Sequence, residues 1–440
     1  MLPLPLGVGS APAPRGAPAL PSLSSSVLVP PWLAGQHFAA ALVCYGLGAL
    51  GLVVFAPDLA RGWFFVPRVI ALVHFFTLGW IVLSIFGVLC QFLPVAVGRS
   101  LRFLPLAHVS FGAQSLGLAL FVAALLATNR SLLLLGALLL TVAFVTFALN
   151  LAATLVAVRE RSLTYWALAG AAVFLLVTPA YGFVLALGLH DGITDRFATV
   201  GHHAHISLLG VVFLVVIGVA HRLLPMFLLS HGVDERAAWL ALGSTFAAAT
   251  ILAVPPGAWG GSSAGAIAVP VAGALGGAGV IAFVVQAASF FKHRQRRALD
   301  PGMRLAAAGV LGLIATLLLA PFALSRGLGA PRLLTTYFVV LLGSFTLFVA
   351  GHYYKIVPFL VWNHRYGPLL GKQRVPKVSE LFSERVANVD AALLVSGLAG
   401  VAVATALGAE LLARVAAIVF AAGAWLQVIV IARIAARKPA

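Results

Sequence analysis

Charge is what this sequence has least of. Only 9% of its 440 residues are charged, and Asp and Glu together number 11. A soluble domain of this size coats itself with roughly 25% charged residues, so a water-facing surface over most of the molecule is excluded. Cysteine is nearly absent. Cys44 and Cys90 lie far apart, each inside an apolar run, which excludes a disulfide framework and a CxxC metal site. Met226 and Met303 are the only methionines after the initiator, too few for a thioether copper path. The chain has no phosphate-cradling loop, serine-nucleophile context or CxxCH haem-attachment motif. Of the carboxylates, only Asp390 and Glu410 approach the apolar runs, at their ends, which counts against a carboxylate relay for protons.

What the chain has in abundance is apolar length. Hydrophobic residues make up 62% of it and the mean hydropathy is +1.08. The apolar runs reach about 20 residues, enough to cross a bilayer core of about 30 Å. Helices are the economical way to do so, because in lipid each backbone donor and acceptor is satisfied within its own segment. Short alternating segments of the β-barrel kind are missing. The pattern predicts an all-α membrane protein with twelve spans near 37–56, 67–97, 104–127, 131–157, 164–190, 199–229, 237–255, 265–290, 304–324, 333–361, 388–407 and 411–435. Residues 1–36 carry Arg15 as their only charge. They lack the basic start and clean apolar core of a signal peptide and read as a mobile tail. Residues 37–440 then form one membrane domain.

The formal charge of +17 has a topological explanation that needs no nucleic acid. With both termini inside, the inner segments hold all but seven of the 28 Lys and Arg. They include Arg99, Arg102, Arg159, Arg161, Lys292, Arg294, Arg296, Arg297, Arg365, Lys372, Arg374 and Lys377. The outer face keeps Arg61, Arg68, Arg130, Arg196, Arg326, Arg332 and Arg414. Such a bias marks a multi-pass protein of a bacterial-type inner membrane with cytoplasmic termini. Membrane lipids are the partner it implies, through their anionic head groups.

An internal repeat runs through the chain. Aligned on His74 and His205, the second and sixth spans match Leu78 with Leu209, Gly79 with Gly210, Gly87 with Gly218 and Pro94 with Pro225. The tenth span, aligned at Phe338, places Leu342, Gly343, Gly351 and Pro358 at the same offsets. Shared helix-packing grammar could produce some of this, since glycine lets backbones approach and proline is tolerated where neighbours satisfy the freed carbonyl. The sharper reading is three parallel four-helix units, about 37–157, 164–290 and 304–435, around a pseudo-threefold axis. Four spans per unit give the units one orientation, unlike inverted repeats.

This architecture, with "HHAHISLLG…GVAHRLLPMF" at 202–227 and "GHYYKIVPFLVWNHR" at 351–365, resembles the haem-copper oxidase subunit I superfamily, which includes nitric oxide reductases and the shorter NnrS-type membrane proteins. The resemblance implies a low-spin haem ligand at or near His74 and a copper ligand at or near His205. The family's tenth helix supplies two haem-ligating histidines where this chain has Phe338, flanked by Thr335, Thr336 and Tyr337. The histidine pair of its seventh helix has no counterpart in 237–255. A full binuclear oxygen-reducing centre cannot be assembled by that ligand rule, and the NnrS kind is the better fit.

Ionisable groups inside a membrane are expensive and are functional candidates by default, and neutral imidazole suits haem iron and copper. His74 and His205 are therefore either ligands or packing histidines bonded to backbone carbonyls. His202, three residues before His205, shares its helical face and could share a metal with it, while His203 points elsewhere; His202, His203 and His190 bracket the loop of Asp191 and Asp195, where either a labile copper or zinc site or an interfacial role is open. A second group, His221, His352, Tyr353 and Tyr354 with His108 and His364, falls at the inner end and could serve a second haem, a quinol site or the head-group region. His221 is about 24 Å along the helix from His205, so one centre cannot use both. The expected function is a membrane-embedded haem protein, with copper as a second candidate, in respiratory electron transfer or nitric oxide handling. Quinol, a cytochrome or another respiratory subunit are its partners. A non-redox transporter or channel, or an accessory respiratory subunit, is the alternative on the same scaffold.

Overall fold

The computed structural model describes residues 30–193, 195–259, 262–295 and 298–439. Most of the tail, with Arg15, and the loop residues Arg296 and Arg297 lie outside the described residues. Among the described residues the chain is helical, without named strands, and twelve helices account for nearly all of it. They are α1 (Pro31–Arg61), α2 (Pro67–Val97), α3 (Leu104–Ala127), α4 (Arg130–Val156), α5 (Leu163–Asp191), α6 (Arg196–Leu228), α7 (Arg236–Leu252), α8 (Ser263–Lys292), α9 (Pro301–Arg326), α10 (Pro331–Arg365), α11 (Glu384–Leu407) and α12 (Glu410–Ala436). Eleven are long and apolar enough to cross a membrane, and α7 is a shorter apolar helix.

Two boundaries differ from the sequence expectation for identifiable reasons. Helix α1 begins at Pro31, so residues 31–36 belong to a helix and not to the tail. Proline at the first helical position is pre-set for helix, and Leu33, Ala34 and His37 are buried there. Helix α7 stops at Leu252, just before Pro255 and Pro256. Its 17 residues span about 25 Å.

Burial sorts the helices into two shells. No residue in 69–94, 199–221 or 333–358 is exposed, so α2, α6 and α10 are enclosed over most of their length. The other helices present apolar stripes outward, such as Val43, Leu47, Leu50 and Val54 on α1 and Leu311, Leu318 and Phe322 on α9. In a chain with this composition those stripes face lipid. Helix α1 packs on α12, where a Cβ on Gly46 would stand 3.0 Å from the Trp425 ring. Arg61 reaches Glu410 with Nε–Oε1 2.8 Å, closing the outer shell.

The repeat glycines are the contact points of the enclosed helices. A Cβ on Gly87 would stand 2.9 Å from His37 of α1, one on Gly218 2.8 Å from Ala167 of α5, and one on Gly351 2.4 Å from the Gly302 carbonyl of α9. Each places an enclosed helix against the helix before it. We expect Gly351→Val to cost about 1–3 kcal/mol, the usual range for overpacking, because backbone on α9 cannot move aside. A thermal-unfolding midpoint in detergent measures this against Gly112→Ala, where nothing lies within 4 Å of the added Cβ.

Candidate functional site

Three histidines of the enclosed helices and one on α1 share one local rule. His74 Nδ1 lies 2.7 Å from the Ile70 carbonyl, His205 Nδ1 2.8 Å from Gly201, His352 Nδ1 2.8 Å from Phe348, and, on α1, His37 Nδ1 2.7 Å from Leu33. Each partner is the carbonyl one turn back. A carbonyl only accepts, so Nδ1 is the protonated nitrogen and Nε2 carries the free lone pair. An Nδ1–H bond to a carbonyl is also the usual support of an imidazole that ligates a metal through Nε2.

In α2 and α6 the helical pattern changes directly after the aligned histidines. Phe75–Val82 and Ile206–Phe213 are wound as π-helix, with wider turns than an α-helix. Such segments are rare and concentrate at functional sites. Both helices also end alike. Gly98 and Leu229 adopt the left-handed conformation and donate their N–H to the carbonyls of Pro94 and Pro225. In Leu229, with φ +53°, this conformation is uncommon for a non-glycine residue. Helix α10 has neither feature and runs on α-helically to Arg365.

The three aligned positions meet different surroundings. His205 has both nitrogens taken, because Tyr337 on α10 donates its hydroxyl to Nε2 at 3.0 Å, and Phe338 packs at 5.6 Å between ring centres. His202 donates Nδ1–H to the Leu252 carbonyl at 2.8 Å, at the end of α7, where Tyr181 also bonds Ala253 at 3.2 Å. His202 and His205 therefore lean on different helices. His74 lies 4.9 Å from the Phe121 ring, and among the described residues nothing bonds its Nε2. His203 does point elsewhere, towards α5. Its ring lies against Gly182, where a Cβ would stand 3.2 Å from Cε1, its Nδ1 is buried without a partner, and it is within electrostatic reach of His74. His74 on α2 and His203 on α6 thus each keep an unpartnered nitrogen.

The inner group is dispersed. His221 Nε2 pairs with Glu235 at 3.1 Å, His108 stacks on Trp32 at 4.6 Å and meets Gln36, Tyr353 shares a hydrogen bond with Ser84 at 2.8 Å, and Tyr354 donates to Asp390 at 2.6 Å. The buried Nε2 atoms of His352 and His364 have no partner. His352 lines a cavity of about 60 Å³ at the junction of α2, α6 and α10, otherwise walled mainly by apolar side chains such as Val88, Val219 and Ile356. At roughly 10–15 Å³ per water this holds a few waters and is far smaller than a porphyrin. The space beside His221 is smaller still, about 10 Å³.

Two residues escaped the sequence reading. His37 is fully buried with an unpartnered Nε2, facing Phe111 at 4.8 Å; its one-turn carbonyl spacing is shared with every helical residue and gave no signal. Tyr337 was visible only as a neighbour of Phe338. Among the described residues no three or more His, Cys, Asp or Glu side chains gather as a metal-ion site.

Imidazole is a ligand for haem iron and for copper, and His74 and His203 each keep a nitrogen to spare. His205 has no lone pair left over. Tyr337→Phe should lower the thermal stability by about 0.5–1.5 kcal/mol, the net value of a buried hydrogen bond; an unchanged unfolding midpoint would mean that the bond to His205 is not made.

Comparison with known proteins gives no further assignment: no family model matches the chain, and no curated protein matches it.

Proposed function

We propose that this multi-pass membrane protein is a haem protein of respiratory electron transfer or nitric oxide handling, on a scaffold related to haem-copper oxidase subunit I. The observation that carries the reading is that His74 and His203, on two of the enclosed helices, each keep an unpartnered nitrogen. The π-helical turn beginning directly after His74 adds support, since such turns favour functional sites. His74 and His203 would hold the iron, which when bound supplies one-electron exchange. The chain's own part is to fix the His74 tautomer through Ile70 and to exclude water with apolar neighbours such as Phe121 and Phe75. Copper has weaker support, resting on the nearness of the same two histidines.

The scaffold part of the proposal is three parallel four-helix units. Its support is the matched π segments and left-handed caps of α2 and α6, and the second repeat glycine of α2, α6 and α10 packing on α1, α5 and α9. The third and fourth helices of each unit also pack closely. A Cβ on Gly117 would stand 2.9 Å from Leu140, one on Gly279 2.3 Å from Thr245, and one on Gly397 2.4 Å from Phe420. The bias of Lys and Arg supports a bacterial-type inner membrane with both termini cytoplasmic. Quinol, a cytochrome or a neighbouring respiratory subunit would be the electron partner.

The optical spectrum of detergent-purified protein, expressed with haem available, tests this. A Soret band is expected, lost in His74→Ala, and lost or shifted in His203→Ala. It should persist in His205→Ala, whose Nε2 is already engaged by Tyr337. A colourless protein would overturn the proposal and leave a non-redox carrier, channel or accessory subunit on this scaffold.

A further inference from the structure

Asp390 lies six residues after Glu384, the first residue of α11, about 9 Å along the helix, and is completely buried. The packing of α11 on α12 shows what faces it. A Cβ on Gly423 would stand 3.0 Å from the Leu394 backbone nitrogen, and one on Gly397 2.4 Å from that of Phe420. The helices are antiparallel, so four residues further along each from Gly423 and Leu394 stand Gln427 and Asp390. Gln427 is also completely buried. Its Nε2 donates to the Ala350 carbonyl of α10 at 3.0 Å. Because a carbonyl cannot donate, the amide is fixed in this orientation and its Oε1 is left as an acceptor. One turn beyond Ala350, Tyr354 donates its hydroxyl to Asp390 Oδ2 at 2.6 Å.

Two buried acceptors, Asp390 Oδ1 and Gln427 Oε1, remain without a partner. The neighbouring cations are turned to other groups. Lys355 pairs with Asp300, and Arg304 donates to Asn388 Oδ1 at 2.9 Å. From α1, Tyr45 is within electrostatic reach, with its hydroxyl buried and unpartnered and its ring stacked 4.1 Å from Trp80. From α10 the titratable group facing Asp390 is Tyr354, and from α12 the facing group is the neutral amide. An ionised Asp390 would therefore be a buried anion with one neutral donor, a strongly unfavourable arrangement. A water molecule could bond both acceptors but would leave that charge in place. A metal cation needs about six oxygens, and even with Tyr45 three are free. One proton removes both deficits.

We propose that Asp390 is a membrane-embedded proton-binding site, a carboxylic acid that donates its Oδ1–H to Gln427 Oε1 while Oδ2 accepts from Tyr354. A neutral carboxylic acid held as a donor in an apolar site has precedent in enzymes. The proton comes from water at the end of the bundle where α10 finishes and α11 begins. Its release leaves the anion with the Tyr354 hydroxyl alone. The site is independent of the haem reading.

Infrared spectroscopy of the full-length protein tests it. At pH 7 the protein should show a protonated-carboxyl C=O band that is absent in Asp390→Asn and disappears only at more alkaline pH. In Gln427→Leu the loss should move down by about one pH unit, a tenfold weaker hold on the proton. No difference between wild type and Asp390→Asn at neutral pH would overturn the proposal. So would a band that is missing at pH 7 together with an unfolding midpoint that rises in Na⁺ relative to choline, which would make the occupant a metal cation. If Asp390→Asn does not fold, Asp390→Glu must shift the band, and an unshifted band overturns the assignment.

Discussion

An imidazole at membrane depth has no water to bond, and in this protein that single constraint organises the chemistry. His37, His74, His205 and His352 all meet it in the same way, by donating Nδ1–H to the carbonyl one turn back. The carbonyl keeps its helical bond and uses its second lone pair. The bond fixes the tautomer and sends the free lone pair of Nε2 away from the helix that carries it. What each histidine can do is then decided by what stands opposite: a tyrosine hydroxyl for His205, a small cavity for His352, nothing within bonding distance for His74.

The enclosure of α2, α6 and α10 makes that possible, because the nine surrounding helices keep lipid from these positions. Enclosure depends in turn on the glycines, since a single added carbon at Gly79, Gly210 or Gly343 would stand within about 2.5 Å of a neighbouring side chain. Helix α10 departs from α2 and α6. Where α2 and α6 carry a histidine followed by a π-helical turn, α10 carries Tyr337 and Phe338 in an unbroken α-helix, and it spends them on closing the space beside His205.

The number and placement of the helices were legible in the sequence because apolar length decides them. The ends were less so. Pro31 to Gln36 read as tail because nothing in those residues announces that Leu33 and Ala34 are covered by other helices. Asp390 read as the edge of a span because the apolar run starts near it, whereas the helix begins earlier, at Glu384, and carries the carboxylate inside. Glu410, the other candidate, is an exposed ion-pair partner of Arg61. Helical spacing correctly turned His203 away from His205. That it lies against Gly182 of α5 depends on how α6 packs on α5, which spacing within one helix does not encode.

The seam between α1 and α12 has a consequence for how the molecule is made. The face of α1 around Gly46 is completed by Trp425, and Arg61 finds its carboxylate on Glu410. Helix α1 is therefore made long before α12, and that flank stays uncovered until α12 follows. Until α12 is in place, that face of α1 lies open, and a chain cut short before α12 would leave it so.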